Sequence, residues 1–331
     1  MAKKKILFIS GIADNKKTKV HQVHKNGNIR WGGSGSANLS SFLQNDLFDR
    51  FSVLFDTRND QELPRQMIHA VFNQISDADT HKIALKKADD FYKAVSSQVP
   101  FFNPPSLIMK TTRDNIYRSL QGINKLHVPK TVKIQPKLPS DIYDVIKKEG
   151  FEYPVIFRQA GDHGGISTIR VEGETEQFYA FALDGRDYYL TQFVDYAKDG
   201  IYAKYRLVVV DGEVFIRHAI FSDSWVIHSK SREYMQKNKE YQRQEINILK
   251  TFNSKMKPKI QKTISEIHQC LGLDYFGIDC NIDQDMNLLV FEVNPNMNVF
   301  ANTVKSSNNP WTKQIDTIQK AIIKMILKGK R

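Results

Sequence analysis

The run FGIDCNIDQDMNLLVFEVNPNMN, residues 276–298, restricts what this chain can fold into more than any other stretch. Ile278, Cys280 and Ile282 alternate with polar residues before Asp285-Met286, and Leu289, Phe291 and Val293 alternate with others after it. Alternation at period two is the pattern of a half-buried strand, so the run is predicted to form a hairpin. Pairing Asp279 with Glu292 sets Cys280 opposite Phe291, Ile278 opposite Val293 and Ile282 opposite Leu289, which gathers the apolar residues on one face. The other face then carries Asp279, Glu292 and Asn294. Carboxylates directly opposed on one face repel unless a cation lies between them. Oxygen-only donors suit a hard cation such as Mg²⁺, which commonly arrives with phosphates because it keeps part of its water shell. The same residues also fit the exposed face of an edge hairpin.

A second hairpin has the opposite charge. Asp211-Gly212 separates two apolar runs, residues 205–210 and 213–219, and is a strong signal for a two-residue turn. Such a turn pairs Val210 with Glu213 and Val208 with Phe215, and by extension Arg206 with Arg217. Facing guanidiniums call for an anion between them, and a magnesium-bound polyphosphate would satisfy both hairpins if their faces meet. Separate pairing of the arginines with carboxylates such as Asp195 or Asp223 is the competing reading.

The remaining features fix the setting. A chain of 331 residues is expected to form two or three packed units, and 41% apolar with 25% charged residues is a globular composition. Cys270 and Cys280 are the only cysteines, too few for a disulfide framework, which favours a reducing cytoplasm. No apolar run is long enough for a membrane helix, and the start is read as a buried strand rather than a signal sequence. The formal net charge of +12 points to anionic partners, with nucleotides, acidic peptides, nucleic acid and membrane headgroups all acceptable.

In chain order, strands are expected at residues 5–9, 51–55 and 68–73, with a helix over 80–96, a rhythm that implies a small parallel sheet. Between the first two lies a long polar segment with Gly32, Gly33 and Gly35 leading into a helix from Asn38, either an anion-binding helix start or a surface loop. The prolines of residues 100–105 close this unit, giving an N-terminal α/β domain over 1–105 and a second domain over 106–331. Residues 130–190 read as an α+β insert: strand, helix at 140–149, strand ending at Arg158, the loop Gln159-Ala160-Gly161-Asp162-His163-Gly164-Gly165, strand from Ser167, helix, strand. That loop is suited equally to covering phosphate and to plain flexibility. Ile260, Ile264, Ile267 and Leu271 mark a core-facing helix stopped by Gly272. A last helix from Pro310 carries Trp311, Ile315, Ile318, Ile322 and Met325 on one stripe.

From about Asn103 onward the order of these motifs resembles the ATP-grasp superfamily, and within it the branch of glutathione synthetase and the ribosomal-protein glutamate ligases. The resemblance implies a mixed α/β and α+β architecture: the small parallel-sheet domain, a mobile lid over 130–190, and a C-terminal magnesium-nucleotide subdomain. It implies that Asp279, Glu292 and Asn294 hold magnesium, two ions in that family, with Mn²⁺ able to substitute. Arg206 and Arg217 become the phosphate and acyl-phosphate contacts. Arg158, Gly161, Gly164, Gly165 and Ser167 become the strand end and loop over ATP, and Gln192, Phe193 and Val194 the hinge against adenine. Lys204 stands where the family commonly has an acidic ribose contact, and Arg158 where it has lysine. A further lysine expected near Asp114-Asn115 is absent, which leaves Lys110 or Arg118 to reach in. The implied activity joins a carboxylate to an amine with ATP, by way of an acyl phosphate, releasing ADP and phosphate. An acidic peptide or amino acid is an acceptable substrate. A phosphotransferase on the same fold, or a nucleotide- or anion-binding protein without turnover, are the alternatives.

Overall fold

The computed structural model describes residues 3–32, 39–43, 46–56, 67–162, 167–228, 231–300 and 310–329. The apolar run β1 (Lys4–Gly11) lies at the centre of a parallel sheet. The run β2 (Lys19–Val23) with β3 (Ile29–Gly32) forms a separate hairpin, within what sequence reads only as a polar segment. After a single 3₁₀ turn at Leu39–Phe42 come β4 (Phe48–Phe55), β5 (Ala70–Asn73), α1 (Lys82–Val95) and β6 (Phe101–Phe102). The sheet order is β4-β1-β5-β6, all parallel. Of the helix expected from Asn38 the described residues show that single turn, and Gly33, Gly35 and Asn38 itself lie outside the described residues.

Two short helices follow, α2 (Pro105–Ile108) and α3 (Arg113–Ser119), then β7 (Leu126–His127). An antiparallel sheet is built from β8 (Thr131–Ile134), β9 (Val155–Gln159), β10 (Thr168–Val171) and β11 (Tyr188–Gln192), in the order β10-β9-β11-β8, with α4 (Pro139–Glu149) between β8 and β9. Its core stacks Phe157 on Tyr188, with Phe178 and Phe181 edge-on to Phe157. No helix joins β10 to β11. Positive φ at Phe178 and Gly185 turns the backbone away from a helical path, while Phe178 still packs inside.

The third sheet contains β12 (Tyr202–Val210), β13 (Glu213–Ser222), β14 (Tyr275–Ile282) and β15 (Leu288–Pro295), in the order β13-β12-β14-β15-β7. Helices α5 (Ser231–Lys237), α6 (Lys239–Lys255) and α7 (Lys257–Leu271) separate its two hairpins, and α8 (Thr312–Lys328) ends the chain. Asp211 and Gly212 both have positive φ, as the two-residue turn requires, and Val210 pairs with Glu213 and Val208 with Phe215. A bulge at Arg206/Leu207 then changes the register, so Arg206 faces His218 and not Arg217. The β14–β15 hairpin also pairs Asp279 with Glu292 and Ile278 with Val293 before a bulge intervenes. Beyond it Cys280 meets Val290 and Ile282 meets Leu288. The apolar set on β15 is therefore Leu288, Val290 and Val293, and Phe291 and Leu289 are turned out of the core. Strand β15 is not an edge, because β7 pairs alongside it through Leu288 and Leu289.

Two features join the sheets. Ile318 and Ile322 of α8 pack in one cluster with Phe8, Phe72, Tyr275 and Val208, so this helix covers both the first sheet and the third. Buried Asn103 accepts from the backbone N–H groups of Asp274 and Tyr275, at 2.8 and 3.0 Å, and donates to Tyr275 O and Asn296 Oδ1. Asn296 in turn donates to Ile75 O at 2.8 Å. Buried amides with paired donors and acceptors are worth far more than exposed ones, and these fix the end of β15 against the first sheet. Gly277 permits the same closeness, since a Cβ there would lie 2.7 Å from Met297 Cβ.

Candidate nucleotide and phosphate site

The second and third sheets face each other across a cavity of about 1000 Å³, at the upper end of what small-molecule sites enclose. One wall is Thr131, Ile156, Arg158, Thr168 and Thr191; the other carries Arg206, Arg217, His218, Asp279 and Glu292. Gln192, Phe193 and Val194 form the rim where β11 leaves its sheet, and Phe193 meets Trp225 edge-on at 5.6 Å. Leu289 and Phe291, which the bulge turns out of the core, supply an apolar floor near Ile227. An aromatic and aliphatic slot at one end with cations at the other is suited to a base joined to an anionic chain.

The carboxylates of β14 and β15 each face a guanidinium. Strand β12 sets Arg206 beside Asp279, and its Nε and Nη2 donate to the two carboxylate oxygens at 2.8 Å each. Lys204 Nζ lies 3.5 Å from Asp279 Oδ2 and donates to Ile227 O at 2.6 Å. Burial opposes the charge on Asp279, but Arg206 and Lys204 outweigh it and hold the carboxyl well below the usual carboxylate range. Glu292 is met by Arg113, whose Nη2 lies 2.6 Å from Oε1. Side chains therefore supply the cations that the opposed carboxylates demand, and the cationic hairpin neutralises the acidic one directly. Asp195 and Asp223 are not the partners of these arginines.

Arg217, 7% exposed, donates from Nε to Val299 O at 2.7 Å, and its Nη1 is buried with no hydrogen-bond partner among the described residues. Burial and the neighbouring Arg206 and Arg232 push its pKa down to about 10. Arg232 cannot be relieved in the same way as Arg217, because it already forks onto Glu245, which also accepts from the Trp311 indole at 2.9 Å. Trp311 lies between the two guanidiniums, 4.5 Å from Arg232 and 5.6 Å from Arg217. Arg158 is likewise driven down to about 10 by burial and by Arg113, with Nε unpartnered among the described residues. A buried arginine with an unpaired N–H is a site that an anion would relieve.

His218 is held well below its ordinary pKa, first by burial and then by Arg206, Arg232 and Arg217. It therefore stays neutral while the unfolded chain takes up a proton below about pH 6.5. The sign follows: stability is expected to fall as pH drops below that value, by up to about 1.4 kcal/mol per pH unit until the folded histidine titrates. Denaturant midpoints across this range should show the slope in the wild type, and His218→Asn should flatten it.

Several expected positions lie elsewhere. Lys110 and Arg118 do not line the cavity; Arg118 is drawn to Asp114 at 2.7 Å, and the cation reaching in is Arg113. Asn294, opposite Gly277, is on the same strand face as Glu292 but does not line the cavity either. The Ser167 hydroxyl donates to Asp162, and Gly161 packs on Thr80 rather than on the cavity. His163, Gly164 and Gly165 lie outside the described residues. The sheet bearing that loop is tied to the first sheet's connection by Asp79, which accepts from Lys133 at 2.6 Å and from Tyr189 Oη at 2.8 Å. Arg113, Arg232, Trp225 and Trp311 were not expected from sequence. Only Arg113 has a local signal, adjacent to the Asp114-Asn115 pair near which the resemblance implies a lysine.

Among the described residues no group of three or more His, Cys, Asp or Glu side chains could hold a metal alone. Asp279 and Glu292 are nonetheless adjacent hard-oxygen donors at the cationic end of the cavity. Such a donor set fits a magnesium ion that takes its remaining oxygens from phosphate and water.

The chain adopts the ATP-grasp fold. The D-alanine–D-alanine ligase from Bacillus anthracis complexed with ATP superposes with a TM-score of 0.54 and 11% identity, over 99% of this chain and 97% of that one. VanG D-Ala:D-Ser ligase from Enterococcus faecalis gives 0.56 and 11%, over 98% and 100% of the two chains. A RimK domain protein ATP-grasp from Sphaerobacter thermophilus gives 0.50 and 13%, over 97% and 99%. At these identities the likeness defines the fold. No protein-family model and no curated protein matches the sequence. No described helix is long and apolar enough to cross a membrane.

Proposed function

We propose that this chain is an ATP-dependent carboxylate–amine ligase that works through an acyl phosphate. The observation that carries the reading is the charge of one cavity: among the described residues, six cationic side chains, Arg113, Arg158, Lys204, Arg206, Arg217 and Arg232, line it together with two carboxylates, Asp279 and Glu292. That excess suits a polyphosphate and an acidic substrate together. Adenine lies against the rim at Gln192, Phe193 and Val194 and over Leu289 and Phe291, and residues 130–190 act as the lid. Arg158, Lys204 and Arg206 orient the phosphates.

Asp279 and Glu292, the two carboxylates at the cationic end of the cavity, would hold magnesium, which when bound neutralises charge on the transferring phosphoryl group. The carboxylate oxygen of the substrate attacks the γ-phosphorus and ADP leaves. The amine nitrogen then attacks the acyl carbon, phosphate leaves with the C–O bond electrons, and the nitrogen loses a proton. Arg217, whose buried Nη1 has no hydrogen-bond partner among the described residues, is placed to stabilise the acyl-phosphate oxygens. Neither step needs a side-chain nucleophile.

Calorimetry should give ATP binding that strengthens with Mg²⁺, and a panel of carboxylate and amine pairs should release ADP and inorganic phosphate in equal amounts only when both partners are present. ADP release without inorganic phosphate would assign a phosphotransferase. Salt-steep binding of RNA or an acidic peptide with no ATP binding would remove the ligase reading.

A further inference from the structure

Arg113 is placed by the fold so that its guanidinium spans two acceptors. It is the first residue of α3; Nη2 reaches Glu292 Oε1 at 2.6 Å and Nη1 donates to Phe291 O at 2.9 Å. The second acceptor exists because of the bulge. Cys280 pairs with Val290 and Asp279 with Glu292, so Phe291 is passed over by β14, while β7 covers β15 only at Leu288 and Leu289. The Phe291 carbonyl is thereby left for α3, and the bulge builds the seat in which Arg113 rests. Both members of the ion pair keep access to the cavity, with side-chain exposures of 20% and 26%.

A divalent cation and this guanidinium compete for one carboxylate. Oxygen Oε1 already holds a positive group at hydrogen-bond distance, and a second positive charge on the same oxygens is opposed by Coulomb repulsion at short range. Arg158 is near enough to feel both Arg113 and Glu292, so removing the guanidinium from Glu292 without an anion present would only crowd two cations. A polyphosphate changes both conditions, since it offers Arg113 a new acceptor and brings oxygens that complete a metal's shell.

Resting on the nucleotide reading of this cavity, we infer that Arg113 is a ligand of the nucleotide's polyphosphate, and that until the polyphosphate binds it keeps divalent metal off Glu292. Metal loading is then coupled to nucleotide binding through a side chain of the protein, and by linkage each ligand raises the other's affinity by one common factor.

The test is direct metal binding, with no turnover required. Free Mn²⁺ is measured by its paramagnetic resonance signal, and heats of Mn²⁺ and ADP binding by calorimetry, for wild type, Arg113→Lys and Arg113→Met, each with and without the other ligand. Wild type is expected to bind Mn²⁺ about tenfold or more tightly with ADP than without it, within the usual range of coupling between sites. Arg113→Met is expected to bind Mn²⁺ about tenfold more tightly than wild type in the absence of ADP, and ADP about tenfold more weakly. Arg113→Lys, which keeps the charge but not the fork, should fall between them. Unchanged or weaker nucleotide-free Mn²⁺ binding in Arg113→Met, or unchanged ADP binding, overturns the inference. If wild type binds Mn²⁺ and ADP together but Arg113→Met alters neither, the inference alone falls. If wild type binds no ADP or ATP under any metal condition, the nucleotide reading falls and takes the inference with it.

Discussion

Asp279→Ala is expected to destabilise the folded chain by about 3–5 kcal/mol, the cost of leaving one member of a buried ion pair alone. Asp279 is 4% exposed and accepts both hydrogen bonds of the Arg206 fork at 2.8 Å, with Lys204 at 3.5 Å. Removing it leaves Arg206 beside Arg217 and His218 without its hydrogen-bonded counterion, in the middle strands of the largest sheet, with only the more distant Glu292 to offset the charge. Equilibrium unfolding in urea measures the loss. Arg206→Met combined with Asp279→Ala should recover part of the stability, because two apolar groups tolerate the interior better than one unpaired guanidinium. An unchanged midpoint in Asp279→Ala would show that the pair contributes nothing to the fold.

The acid side follows from the same pair. The folded Asp279 carboxyl is held below its unfolded value, so its contribution is complete above about pH 4 and is lost as pH falls from there toward the folded pKa. Together with His218, whose contribution fades below about pH 6.5, this places the loss of stability in acid in two successive stages.

The sequence carries these residues with different clarity. Both hairpins are legible, including the turn at Asp211-Gly212 and the Asp279–Glu292 pairing, because alternation and turn chemistry are local properties. Each register holds only as far as the first bulge. One extra residue does not disturb a count of apolar positions, yet it sets Arg206 opposite His218 and turns Phe291 from the core to the cavity. Strand order is likewise not written locally. Nothing near residue 279 says that β12 lies alongside β14, so the cation demanded by Asp279 could be inferred as a charge but not as Arg206. Arg113 is a milder case: the resemblance implies a lysine near Asp114-Asn115, and the helix start turns the neighbouring arginine toward β15. The Arg232–Glu245–Trp311 cluster joins three separated segments and has no local signal at all.

Glu292→Gln is expected to leave the fold intact and abolish the chemistry, the reverse of its neighbour across the strand pair. Its ion pair with Arg113 is partly solvated, and such pairs contribute about 1 kcal/mol or less, so the unfolding midpoint should scarcely move. Glutamine keeps the shape and one oxygen but not the charge that a hard cation requires. The magnesium enhancement of ATP binding should vanish, and carboxylate- and amine-dependent release of ADP should fall by about 100-fold or more, the scale seen when one charge-stabilising group is removed from a preorganised site. Calorimetry and a phosphate-release assay on the same preparation separate the two effects. Wild-type turnover in Glu292→Gln would mean that this carboxylate serves Arg113 alone, and the acidic face of the hairpin would then be a structural counterion to the arginines instead of a metal site. A stable, inactive Glu292→Gln beside an unstable Asp279→Ala would instead grade the pair by burial: the inner carboxylate maintains the sheet through Arg206 besides facing the cavity, and the outer one, more accessible from the cavity, serves the ligand without being needed for the fold.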